Sequence, residues 1–221
     1  MANFHPRSED LATEFAVFPL PGALLLPRGK LPLNIFERRY LAMIEDSMAN
    51  RRMFAMIQPD PNAMPNEHGP GLYRVGCLGR LSSFSETDDG RFLITLTGLA
   101  RFAIAAELPN HRGYRRVRAD FSGFPADLDL TPEFSGVERE ALLTALRAYF
   151  VGQKFDANWD AISRMPDEVL VVTLSMVCPF EPAEKQALLE APSEADRAVT
   201  LMALLQMGAA GSDLPSGRQV S

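Results

Sequence analysis

The sequence predicts an α+β fold, with a bulged β-barrel over residues 14–125 followed by a helical bundle over residues 126–207. Three observations carry this reading. The first half is a series of short apolar runs cut by proline and glycine, which suits a small closed sheet. The second half places apolar residues at helical spacing. The charge divides at the same place, +2 over residues 1–125 and −8 over residues 126–221, within a formal net charge of −6.

Residues 1–13 carry Arg7, Glu9 and Asp10 and no apolar run, so they read as a flexible arm and not a signal peptide. Pro19, Pro21, Pro27 and Pro32 each lack an N–H and fix φ, which keeps the run from Phe18 to Ile35 extended. Tyr40, Leu41, Ile44 and Met48 then recur at helical spacing. Glu37 is placed in that helix's first turn, where a carboxylate suits the dipole. Met53–Ile57 is a short apolar run ended by Pro59 and Pro61, hence a buried strand followed by a loop.

Thr87-Asp88-Asp89-Gly90 is a hairpin turn, since Asp-Gly supplies the positive φ that tight hairpins need. Leu81, Ser83 and Ser85 precede it with period two, and Phe92, Ile94 and Leu96 follow it. Alternation resumes after Gly98 with Phe102, Ile104 and Ala106, and Tyr114 to Phe121 makes a further strand.

Thr131, with Pro132 at the first helical position, opens a helix that runs through Phe134, Leu142, Leu146 and Tyr149. A short helix covers Trp159 to Arg164. The next starts near Pro166 and is apolar on nearly every side, so it is expected to be the central, buried one. Pro182 opens a fourth helix, and Ser193 with Asp196 caps a fifth. Residues 208–221 read as a disordered polar tail.

Composition bounds the chemistry. A hydrophobic content of 47% and a charged content of 23% are ordinary for a soluble globular protein. No apolar stretch is long enough to span a bilayer. Cys77 and Cys178 stand far apart and outside any C-x-x-C, which suits free buried thiols in a cytoplasmic protein. Gly29-Lys30 is the nearest approach to a phosphate loop, but Leu31 replaces the hydroxyl residue and Pro27 removes an N–H. The three lysines, Lys30, Lys154 and Lys185, read as solvated and offer no base for a serine nucleophile. His5, His68 and His111 are isolated, so neither metal nor cofactor is expected. Arg112, Arg115, Arg116 and Arg118 form one basic cluster. It reads as a solvated strand or as a docking face for the acidic second half, and nucleic acid is not expected as the main partner.

Three motifs stand in order along the chain. The first is Phe18-Pro19-Leu20-Pro21-Gly22 with Leu31-Pro32-Leu33-Asn34-Ile35-Phe36-Glu37-Arg38-Arg39-Tyr40. The second is Gly76-Cys77-Leu78-Gly79-Arg80 with Leu96-Thr97-Gly98 and Arg101-Phe102. The third is Glu184-Lys185-Gln186 with Leu188-Leu189-Glu190, followed by Asp196-Arg197 and Leu201. Together, over about Phe15 to Met207, they resemble the N-terminal substrate-binding domain of Lon-type ATP-dependent proteases, the peptidase S16 family. Arg28 and Ala55 depart from the family pattern where glycine is common. The resemblance implies a PUA-like barrel and a helical bundle forming one domain over residues 14–207. It further implies a non-catalytic unit of bacterial proteolysis that recognises substrates. The ATPase and peptidase domains of such proteases come later in their chains, and this sequence is expected to lack both.

The expected function is therefore a polypeptide-binding module for unfolded or apolar-exposed chains, acting as an adaptor or holdase beside a protease or chaperone. The alternatives are an RNA-binding PUA-like module and a cryptic hydrolase. A client groove is expected between the lobes, walled by Leu24, Leu25, Leu26 and Phe36 on one side and by Met176 and Phe180 on the other. Glu37, Arg39, Tyr40, Gly76, Gly79, Gly98 and Arg101 are expected to be framework residues, with no catalytic residue among them.

Overall fold

A computed structural model describes residues 8–129 and 138–211. Six strands make one mixed sheet: β1 (Glu14–Pro19), β2 (Lys30–Ile35), β3 (Met53–Ile57), β4 (Val75–Glu86), β5 (Phe92–His111) and β6 (Tyr114–Asp120). The order is β2-β5-β4-β3-β1-β6, and β6 also pairs with β5. Five strands thus close into a ring, and β2 lies outside it as an edge. Among the described residues only β1 and β3 run parallel, with Val17 opposite Ala55. Helix α1 (Arg38–Ala49) packs against β1, β3 and β6. It buries Tyr40, Met43 and Ile44, as its sequence periodicity predicts.

Strand β5 organises the ring. Its first half pairs with β2 and β4, and its second half crosses to β6. The register shifts at Leu78/Gly79, Leu81/Ser83, Ile104/Ala106 and Leu108/His111 bend the sheet enough to close it. Gly98, taken from the sequence as a break between two strands, lies inside this one 20-residue strand. A Cβ there would meet the Leu26 carbonyl oxygen at 2.0 Å, so glycine is needed for close approach and not for a turn. Gly79 answers the same need, with Leu96 and Leu25 side chains against its α-carbon, and at Gly76 the Met56 carbonyl and Phe102 ring press in.

The helical half holds α2 (Arg139–Gln153), α3 (Trp159–Arg164), α4 (Asp167–Val177), α5 (Pro182–Glu190) and α6 (Glu194–Gly211). The expected cap at Thr131 and the first apolar position, Phe134, lie outside the described residues. Asn158 caps α3 by accepting from the Ala161 N–H. Glu181 and Glu184 form a reciprocal capping box on α5. The Ser193 hydroxyl accepts from the Asp196 N–H at the start of α6.

Three sequence expectations change here. Helix α4 is not central: it buries Leu170, Val171 and Leu174, while Val177 is 71% exposed. Lack of a polar face says that a helix needs cover, not that its neighbours supply it. The central helix is α6, which touches α2, α4 and α5 and fully buries Leu201 and Leu205. It also continues to Gly211, past the point where the tail was expected to begin. Gly208 belongs inside it because the Tyr149 ring of α2 fills the space of a Cβ, 2.4 Å away. The expected arm is partly ordered as well, since Ser8–Asp10 forms a 3-10 turn and Leu11 is buried.

Candidate functional site

The residues expected to wall a client groove fall in two different places. Leu24, Leu25 and Leu26 are buried, Leu25 to 1% exposure, and pack in the main core with Phe180 and the half-buried Met176. Met176 reaches the α-carbon of Gly29. Leu24, Leu25 and Leu26 are thus filling between barrel and helices and do not face solvent among the described residues. Leucine is usually buried, and three in a row between two lobes have no route to solvent.

Phe36 alone of that set faces solvent, at 63% exposure. It follows β2, where β2, the first half of β5 and the end of β4 form a three-stranded wing. On one face of this wing Leu33, Ile94 and Phe84 stand in register, followed by Ile35 and Phe92. Leu31, Leu33 and Phe84 are only half-buried. The Arg91 guanidinium lies 5.9 Å from the Phe36 ring centre and also pairs with Asp89 in the hairpin turn. The wing therefore carries one strongly exposed aromatic ring, at the end of β2, while Leu31, Leu33 and Phe84 pack half-covered against the core.

A polar seam joins the lobes. The Arg101 side chain pairs with Asp127 at 2.7 Å and donates to the Leu189 and Ala191 carbonyls at the end of α5. Both partners of the ion pair are buried, Arg101 to 3% exposure. Arg197 donates to the Leu188 carbonyl beside it. Burial, then the neighbouring Arg101 charge, push Arg197 down to about 10, so it stays charged at neutral pH. Gln58 donates to the Pro182 carbonyl and to Gln186, and Gln186 donates to the Val75 carbonyl. Lys185, expected to be solvated, is buried instead and donates to the carbonyls of Gly22 and Met176. Desolvation lowers its pKa. These two hydrogen bonds tie the ribbon and α4 to α5, which is framework chemistry.

The other framework residues divide by burial. Tyr40 is buried, with its ring centre 4.2 Å from that of Phe18. Glu37 and Arg39 form an exposed pair at 2.9 Å, and the Arg39 guanidinium lies over the Tyr40 ring. Glu37 occupies the N-cap of α1 without a side-chain cap bond, and its carbonyl accepts the first helical bonds.

Among the described residues, the basic cluster docks against no helix of the second half. Arg112 pairs with Glu45 and Asp46, Arg115 with Glu107, and Arg116 and Arg118 with Glu14. All four acids belong to the barrel half. Burial works to raise Asp46, but hydrogen bonds from Tyr114 and Arg112 outweigh it and hold the carboxyl below its usual value. Among the described residues no group of His, Cys, Asp and Glu could hold a metal ion. Both cysteines are buried, and desolvation raises each thiol, Cys178 to about 12, so neither is a nucleophile at neutral pH. No helix among the described residues is long and apolar enough to cross a membrane.

The architecture is a closed mixed ring of strands with a helical second half tied to it by a buried polar seam. The model of the ATP-dependent protease La (LON) substrate-binding domain matches residues 14–207, and the chain belongs to that family. It is 26% identical to Lon protease 1 of Bdellovibrio bacteriovorus over 198 residues, which cover 86% of this chain and 24% of that protein. It is 26% identical over 95 residues to the Lon protease of Desulfosudis oleivorans, 12% of that protein's length. The chain thus spans a quarter or less of these curated relatives. Its fold matches the Lon N-terminal domain protein from Xanthomonas campestris with a TM-score of 0.59 at 21% identity, covering 87% of this chain and 98% of that one. The N-terminal domain of the Mycobacterium avium complex Lon protease matches equally well, with a TM-score of 0.59 at 16% identity.

Proposed function

We propose that this chain is a non-catalytic polypeptide-binding module that holds unfolded or apolar-exposed clients, as an adaptor or holdase beside a cytoplasmic protease or chaperone. The observation that carries the reading is the match of residues 14–207 to a substrate-binding domain. The exposed Phe36 and the half-buried Leu33 and Phe84 of the wing are the proposed contact surface. An aromatic ring already in water gains by covering apolar client surface, and it loses few rotamers in doing so. The wing supplies little backbone pairing, because the edge strand β2 contains Pro32. Side-chain contacts therefore carry the binding. The arginines of the one basic cluster are matched by carboxylates, which favours this reading over RNA binding.

The test is suppression of aggregation. A chemically denatured client diluted into the purified protein should stay in solution without ATP, and neither ATP hydrolysis nor casein cleavage should rise above background. Turnover that disappears on substitution of a residue in this chain would overturn the non-catalytic reading.

A further inference from the structure

We propose that the free edge of β4, from Phe84 to Glu86, takes up an extended polypeptide segment as an added antiparallel strand. It selects segments that carry a basic and an apolar residue with one residue between them. This mode of binding rests on the polypeptide-binding reading above and names how part of such a chain is held. Strand β3 pairs with β4 as far as Arg80, and the last bond on that side runs from the Leu81 N–H to the Arg52 carbonyl. Beyond it β4 continues to Glu86 with β5 on one side alone. Ser82, Ser83, Ser85 and Glu86 are exposed, and the small serines leave this edge uncrowded.

The hairpin turn fixes which backbone groups face out. The Thr87 N–H donates to the Arg91 carbonyl at 2.9 Å, and Ser85 stands opposite Leu93. Facing residues of an antiparallel pair alternate between bonded and unbonded. Ser83 and Ser85 therefore turn their backbone groups to β5, and Phe84 and Glu86 turn theirs away. The other side of β5 agrees. Gly98 exchanges bonds with Arg28 and Gly29, which gives the even-numbered residues of β5 to β2 and the odd-numbered ones to β4. Among the described residues the N–H and C=O groups of Phe84 and Glu86 have no partner on their outer side. The same alternation puts Pro32 at an outward position of β2, where its missing N–H breaks the run. One edge of the wing is thus closed to pairing. The other is open over a short length, so backbone bonds there add to side-chain contacts and do not replace them.

Unpaired backbone selects an extended chain as the occupant, and charge narrows it. Glu86 and Asp88 are exposed and form no ion pair among the described residues, whereas Asp89 is held by Arg91. Phe84 and Glu86 share one face of the sheet. An antiparallel strand sets an apolar side chain beside the half-buried Phe84 and a lysine or arginine beside Glu86, in the order basic-x-apolar. A second copy of this chain is the poorer occupant, because it brings its own Glu86 to the same face, in a protein of net charge −6.

Fluorescence anisotropy of a labelled heptapeptide, Thr-Val-Arg-Thr-Leu-Thr-Val with blocked ends, titrated with the full chain tests this. N-methylation of the Arg or the Leu nitrogen removes a donor aimed at β4 and should weaken binding at least about fivefold. N-methylation of the central Thr, whose N–H faces away, should leave binding nearly unchanged. Glu86→Lys should weaken this peptide by a similar factor and strengthen one with Glu in place of Arg. Its melting temperature should stay unchanged, since Glu86 is exposed. Equal effects of N-methylation at the Arg, Thr and Leu positions overturn the proposal, and that comparison needs no variant protein to fold. So does an unchanged peptide preference in a folded Glu86→Lys. An unfolded chain that binds while the heptapeptide does not refutes the edge and leaves the polypeptide-binding reading standing. Failure of both to bind removes both.

Discussion

At the residue scale, burial separates side chains that the motifs make look alike. Arg101 and Glu37 both stand in the motifs that carry the family resemblance, yet Arg101 is buried with Asp127 while Glu37 sits in water beside Arg39. Arg101→Ala leaves a buried carboxylate and two carbonyls without their donor, so it should cost on the order of 3–5 kcal/mol in urea unfolding. Glu37→Ala removes an exposed pair and should cost no more than about 1 kcal/mol. The opposite ranking would refute the assignment of the seam. Asp46 gives a prediction in pH. Its folded pKa lies below the ordinary 3.8, so its contribution is present above that value and is lost as pH falls through the lower folded one. The stability gap between the parent and Asp46→Asn should therefore close in acid below about pH 4, as read by thermal melts across pH. The sequence could not supply these pairings. Arg101 and the Leu189 carbonyl are 88 residues apart, and nothing in the type or spacing of Asp127 marks it as the partner.

At the element scale, what is local was legible. Prolines that forbid a helix, the Asp-Gly hairpin, the Ser193 cap and the five-residue buried strand β3 all act within a few residues, and each appears where its chemistry puts it. What depends on neighbours was not legible. Gly98 reads as a break because glycine often is one, but here it admits the Leu26 carbonyl into the middle of β5. Gly98→Ala should therefore destabilise the protein strongly although its φ is unremarkable, and Gly90→Ala, in open space but at φ +79, should cost only backbone strain. Equal melting temperatures for the two variants would contradict the close-approach account. The misplacement of α4 has the same root, since the apolar content of a helix does not tell which side its neighbours cover.

At the scale of the whole molecule, the account divides the expected groove into a core and a surface. Leu25 belongs to the filling between the lobes, and Leu25→Asp should unfold the protein, because it puts a carboxylate where no partner waits. Phe36 belongs to the surface, and its substitution should leave the fold intact. The two-lobed architecture and the family were readable from three motifs in order. Which of the expected groove residues face solvent was not, because a phenylalanine in water and one in a core look the same in sequence. The most direct measurement is fluorescence anisotropy of a labelled, permanently unfolded polypeptide titrated with the parent protein and with Phe36→Asp, each with its melting temperature. The account predicts saturable binding by the parent without ATP, and several-fold weaker binding by the variant at an unchanged melting temperature. No binding by the parent, or equal binding by a folded Phe36→Asp, would contradict it.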